Sequence, residues 1–81
     1  MRPTHIPIEQ LVEYVRYGVI FLWQTNHQEN PLTASEVAYA ASRYSGVPPL
    51  SPETVGQVSL HLEREGLARK EEEGWVYYFK K

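Results

Sequence analysis

Apolar residues at Ile8, Leu11, Val12, Val15, Val19 and Leu22 recur every three or four positions, the spacing of one helical face. The pattern predicts a first helix from residue 8 to about residue 27, preceded by an extended arm over 1–7 with two prolines. Tyr14, Tyr17, Phe21 and Trp23 add apolar surface away from that stripe. A helix that is apolar on more than one side is buried on more than one side. In a small domain one of those sides can face a second chain, so Tyr14, Tyr17, Phe21 and Trp23 are candidate dimer or partner residues. The stretch 28–31 reads as a loop.

Thr33 and Glu36 have the spacing of a capping box, in which the Thr hydroxyl takes the Glu36 amide and the Glu carboxylate reaches back. A second helix then runs to about Arg43, with Val37, Ala40 and Ala41 inward, and Pro48 and Pro49 forbid its continuation. Ser51, Pro52 and Glu53 open a third helix over 52–65 as N-cap, first helical residue and first-turn acid. Val55, Val58, Ser59 and Leu62 share its inner face, and Gly66 is the expected C′ glycine. Two strand-like runs follow, 67–71 and 75–80, around Glu72, Glu73 and Gly74, and read as a hairpin. In the second run Tyr77 and Tyr78 alternate, one toward the core and one toward solvent.

The expected order is therefore helix, helix, helix, hairpin: an α+β chain, mostly α, in one domain over 8–81 with the layout of a winged helix-turn-helix. Residues 31–79 resemble the DNA-binding domains of the MarR and ArsR regulator families. Pro31-Leu-Thr-Ala-Ser-Glu-Val-Ala is similar to the opening of their second helix. The stretch from Leu50 to Arg69 is similar to their recognition helix and its exit, and Gly74-Trp-Val-Tyr-Tyr-Phe to the return strand of their wing. The resemblance implies a dimeric transcription regulator that binds double-stranded DNA, with the third helix in the major groove and the wing on an adjacent backbone. On a helical wheel Glu53, Thr54, Gln57, Leu60, His61 and Arg64 lie opposite Val55, Val58 and Leu62. Gln57 suits adenine, Thr54 and His61 suit bases or phosphate, and Arg64 suits phosphate. Ser35 and Ser51, at helix starts, are candidates for phosphate, and Arg43, Arg69 and Lys70 for a local basic patch.

Charge opens a second possibility. The 81 residues carry a net charge of −2, and the wing tip is Glu71-Glu72-Glu73, where phosphate contact calls for cations. Leu60 is an apolar residue on the outward face of the third helix. These features suit a winged helix whose partner is a protein, with Leu60 at the contact. A homodimer through the helix over 8–27 is expected in the first case.

Composition removes other classes. With no cysteine there is no disulfide and no thiolate site, and the three histidines, His5, His27 and His61, are too scattered for zinc. All ten acids are Glu. No phosphate-binding glycine loop or nucleophile elbow occurs, and Glu63 and Glu65 point different ways on a helix. Neither an enzyme nor a bound cofactor is expected. The longest apolar run, from Val19 to Trp23, is too short for a membrane span, and no secretory leader is visible, so a cytoplasmic location is expected.

Overall fold

The computed structural model describes residues 6–80; the arm residues 1–5, including His5, lie outside the described residues, as does Lys81. Helices α1 (Ile8–Gln24), α2 (Ala34–Ser42) and α3 (Pro52–Arg64) are followed by strands β1 (Ala68–Glu71) and β2 (Gly74–Tyr77). The strands pair antiparallel, Ala68 with Tyr77 and Glu71 with Gly74. Three helices and a terminal hairpin make a mostly helical α+β fold with a winged-helix layout, as the sequence pattern predicts.

Each helix is set by local chemistry. At α2 the capping box is complete: Thr33 Oγ1 accepts from the Glu36 amide at 3.1 Å, and the Glu36 carboxylate accepts from the Thr33 amide at 3.0 Å. That amide is the main cause holding the Glu36 carboxyl below its usual pKa; partial burial opposes it, and hydrogen bonds from Gln28 and the Thr33 hydroxyl assist. At α3 the Ser51 hydroxyl accepts from the Thr54 amide at 3.1 Å, and Pro52 occupies the first turn. The end of α3 is a Schellman motif, with Leu67 N–H on the Leu62 carbonyl, Gly66 N–H on the Glu63 carbonyl and Gly66 at φ 78°.

Two boundaries differ from expectation. Helix α1 ends at Gln24, not at residue 27: His27 has φ 56°, and Gln28 N–H turns back to the Leu22 carbonyl. Strand β2 stops at Tyr77 rather than continuing to residue 80, because its partner β1 begins at Ala68 and, among the described residues, beyond it only Tyr78 N–H finds a backbone carbonyl, that of Leu67.

The core joins the elements along one apolar body. Val15, Val19 and Leu22 of α1 pack with Val37 and Ala40 of α2, Val55, Val58 and Leu62 of α3, and Ala68, Trp75 and Tyr77 of the hairpin. Helices α1 and α2 approach closely at Gly18, where an added Cβ would stand 2.6 Å from the Val37 carbonyl oxygen. Leu32, just before α2, exchanges both backbone hydrogen bonds with Trp75, at 2.8 and 2.7 Å. This one-residue third strand ties the wing to the body. It also demands glycine at position 74, whose φ is 149° and whose Cβ would collide with the Leu32 carbonyl at 2.5 Å.

Candidate nucleic-acid interface

The third helix presents a clear division of faces. Val55, Val58, Ser59 and Leu62 are buried, whereas Glu53, Gln57, Leu60 and Arg64 are exposed, Leu60 at 50 %. Neither Gln57 nor Arg64 makes a side-chain hydrogen bond or ion pair among the described residues. Helix α3 is held in place from inside by Ser59, a buried polar residue whose hydroxyl meets the Tyr77 phenol of β2 at 2.5 Å.

Thr54 and His61 lie away from the crest of the helix, contrary to their place in the sequence-based outward set. Both are partly buried on the flank that turns toward α1. Thr54 borders a cleft of about 420 Å³ with Ile8 and Leu11, and His61 borders a second of about 350 Å³ with Glu9 and Glu13. The Thr54 hydroxyl is also 3.0 Å from that of Ser51, and the His61 Nε2 is 3.4 Å from a Glu65 carboxylate oxygen. At 3.6 residues per turn Thr54 and His61 fall beside Val58 on the flank of the helix, so the outward set is too wide by these two. Ser51 is exposed, but its oxygen is already occupied by the Thr54 amide; Ser35 is exposed on the first turn of α2.

The three cations proposed as one patch are each engaged separately. Arg69 lies on the outer face of the wing, its Nε 2.6 Å from the Glu71 carboxylate. Lys70 projects to the opposite face, where its Nζ donates to the Glu71 carbonyl and stands 5.8 Å from the centre of the Trp75 ring. Arg43, the C-cap of α2, donates to the Tyr39 phenol and stacks over the Phe21 and Tyr39 rings. Glu72 and Glu73 complete the wing turn and are exposed.

The partner residues expected on α1 fall into two groups. Tyr17 and Phe21 meet Tyr44, which follows α2, with ring centres 5.4 and 6.0 Å apart, and Arg16 lies over Tyr17. With Tyr39, 67 % exposed, they form an aromatic and arginine surface across α1 and α2. Tyr39 and Tyr44 had no signal in the periodicity, since one is the exposed side of a short helix and the other lies in a loop. Trp23 belongs elsewhere: it packs against the core and walls a cavity beside Phe79. Tyr14 is partly buried on α1, and Leu60 lies on α3, outside the aromatic surface. Among the described residues no helix is long and apolar enough to cross a membrane, and no cluster of three or more metal-binding side chains forms. No family model, curated protein or solved structure matches the chain.

Proposed function

We propose that this domain is a cytoplasmic DNA-binding regulator that lays the outer face of α3 in the major groove of duplex DNA and rests the wing on the neighbouring backbone. The observation that carries this is the α3 face itself. Gln57 and Arg64 stand exposed and unengaged on a helix capped at both ends and fastened to the wing from within. Polar side chains presented outward from a firmly held, exposed helix are what base-edge recognition requires. Gln57 supplies a bidentate amide for adenine, and Arg64 a guanidinium for phosphate. Thr54 and His61, on the α1 flank, reach the edge of such a footprint. The aromatic surface of Tyr17, Phe21 and Tyr44 is the proposed two-fold contact between copies, which would set two α3 helices about one helical turn of DNA apart.

Fluorescence anisotropy on mixed-sequence duplex DNA at several salt concentrations tests the proposal. Binding should weaken steeply with salt, with a log–log slope of about −0.9 for each phosphate contact. Gln57→Ala should narrow the gap between preferred and random sites. Absence of binding at low salt rejects the proposal.

A second function has its own support: Leu60 is half-exposed at the crest of α3, and the wing's Arg69 is already neutralised by Glu71. An apolar anchor ringed by polar groups suits a protein partner. Leu60→Lys separates the two. It should raise DNA affinity if the face meets phosphate, and abolish complex formation if the face meets protein.

A further inference from the structure

The first turn of α1 lies beside α3, and Ile8, itself 37 % exposed, borders both of the clefts that the two helices form. One cleft, of about 350 Å³, reaches toward the end of α3; Ile8 and Val12, one helical turn apart, are its apolar residues, and Glu9, Glu13, His61 and Glu65 its polar ones. The other, of about 420 Å³, reaches toward the start of α3, with Leu11 and Val58 beside Ile8 and Glu53 among its polar residues. We propose that the two clefts together dock a basic amphipathic segment of a partner protein, its apolar side chains astride Ile8 and its lysines or arginines on the surrounding carboxylates.

Apolar surface and charge point to the same occupant. Ile8 is exposed, and Leu11 and Val12 are only partly buried, so the fold leaves three neighbouring aliphatic side chains short of cover. Taking that surface out of water favours an apolar guest. Four carboxylates border the same clefts, those of Glu9, Glu13, Glu53 and Glu65, and no Lys or Arg lines either one. Glu13 is paired with Arg16 at 3.1 Å and Glu65 lies 3.4 Å from the His61 Nε2. Glu9 and Glu53 are exposed and make no ion pair among the described residues.

A lysine suits such a border in both of its halves, since its stem lies along apolar surface while its ammonium reaches a carboxylate. Phosphate would meet like charge at the same positions, so the clefts favour a cationic polypeptide over nucleic acid. An amphipathic helix laid in an apolar groove is a recurring form of this recognition. The proposal goes beyond the DNA reading of the α3 crest and does not depend on it.

The test is an NMR titration of the whole chain, without DNA, using a synthetic helical peptide of lysines with leucines three and four positions apart. The backbone amides of Ile8, Val12, Thr54 and His61 should shift saturably. The same peptide with serine for leucine should bind at least about tenfold more weakly, and the peptide with glutamate for lysine not at all. Glu9→Lys with Glu65→Lys should weaken the lysine–leucine peptide about tenfold, each exposed pair contributing modestly. Glu72→Lys with Glu73→Lys makes the same change of net charge at the wing tip and should leave the affinity within about twofold. All four substitutions are at exposed residues, and unchanged thermal melts would confirm the fold. No binding, equal binding of the serine peptide, shifts mapping away from the two clefts, or equal loss from the wing-tip pair would each overturn the proposal.

Discussion

Ser59 of α3 and Tyr77 of β2 join their hydroxyls at 2.5 Å inside the core, so the helix and the wing share one buried polar contact. Both residues are almost wholly excluded from water. Ser59→Ala leaves the phenol without its partner and should cost about 1–3 kcal/mol in urea denaturation. Tyr77→Phe alone should cost a similar amount. The double variant should cost less than the sum, because both polar groups leave together. Additive losses would mean that the two hydroxyls do not act on each other.

The same tyrosine makes stability fall at high pH. Burial strips water from the phenolate and pushes the Tyr77 pKa from 10.0 up to about 12, against a smaller opposing effect of the Ser59 hydroxyl. In the unfolded chain the phenol ionises near 10, while in the folded chain it keeps its proton to about 12. The contribution is therefore complete below pH 10 and is lost as pH climbs toward 12, amounting to about 2–3 kcal/mol. Tyr77→Phe has no proton to lose. The difference between its stability and that of the parent should shift by that amount between pH 9 and 12; a constant difference would contradict the assignment.

Two glycines in helices should respond oppositely to alanine. At Gly18 the new methyl would meet the Val37 carbonyl oxygen at 2.6 Å and Ala41 Cβ at 3.0 Å, atoms that move only if α1 and α2 part. Gly18→Ala should therefore destabilise by about 1–3 kcal/mol despite its better helix propensity. At Gly56 on α3 no atom lies within 4 Å of the added Cβ. Gly56→Ala should stabilise by about 0.5–1 kcal/mol in the same assay.

Removing the α2 cap should be felt locally and with pH. Thr33→Ala should cost about 1 kcal/mol. Because the Glu36 carboxyl is held below its ordinary value, its contribution is present above the unfolded pKa of 4.5 and fades as pH falls through the lower folded value. Glu36→Gln should flatten that part of the acid limb while keeping most of the helix signal in circular dichroism.

Charge on the wing should limit DNA affinity if α3 reads DNA. Replacing Glu71, Glu72 and Glu73 together by Gln removes three carboxylates and frees Arg69 from its ion pair. Anisotropy should then report tighter binding and a salt slope steeper by about one contact. Unchanged binding would mean that the wing tip stays off the backbone.

Local signals were readable wherever a few neighbouring residues decide the outcome. Thr33 with Glu36, Ser51 with Pro52, and Gly66 after Leu62 mark their helix ends by fixed short spacings, and the structure has all three. The alternation of Tyr77 and Tyr78 also holds, with Tyr77 buried and Tyr78 about half exposed. What periodicity could not carry is a relation between distant residues. Nothing near Leu32 announces that it pairs with Trp75, 43 positions on, since a one-residue strand has no period. A helical wheel puts Thr54 and His61 beside Val58 on the flank of α3, and only the packing shows that α1 residues border that flank. Cation partners were hidden for a like reason: Arg43 finds Phe21 through the crossing of two helices, not through spacing along one.

The Leu32–Trp75 bridge has a consequence for how the chain is made. Leu32 emerges from the ribosome well before Trp75, and its buried backbone N–H and C=O have no final partners until then. The three helices can gather early, yet the core stays unsealed until Trp75 and Tyr77 arrive to fill it. A nascent chain stalled between α3 and β2 would carry an open apolar seam at Leu32, the edge that chaperones recognise. Arrival of Trp75 and Tyr77 is thus the event that closes the core.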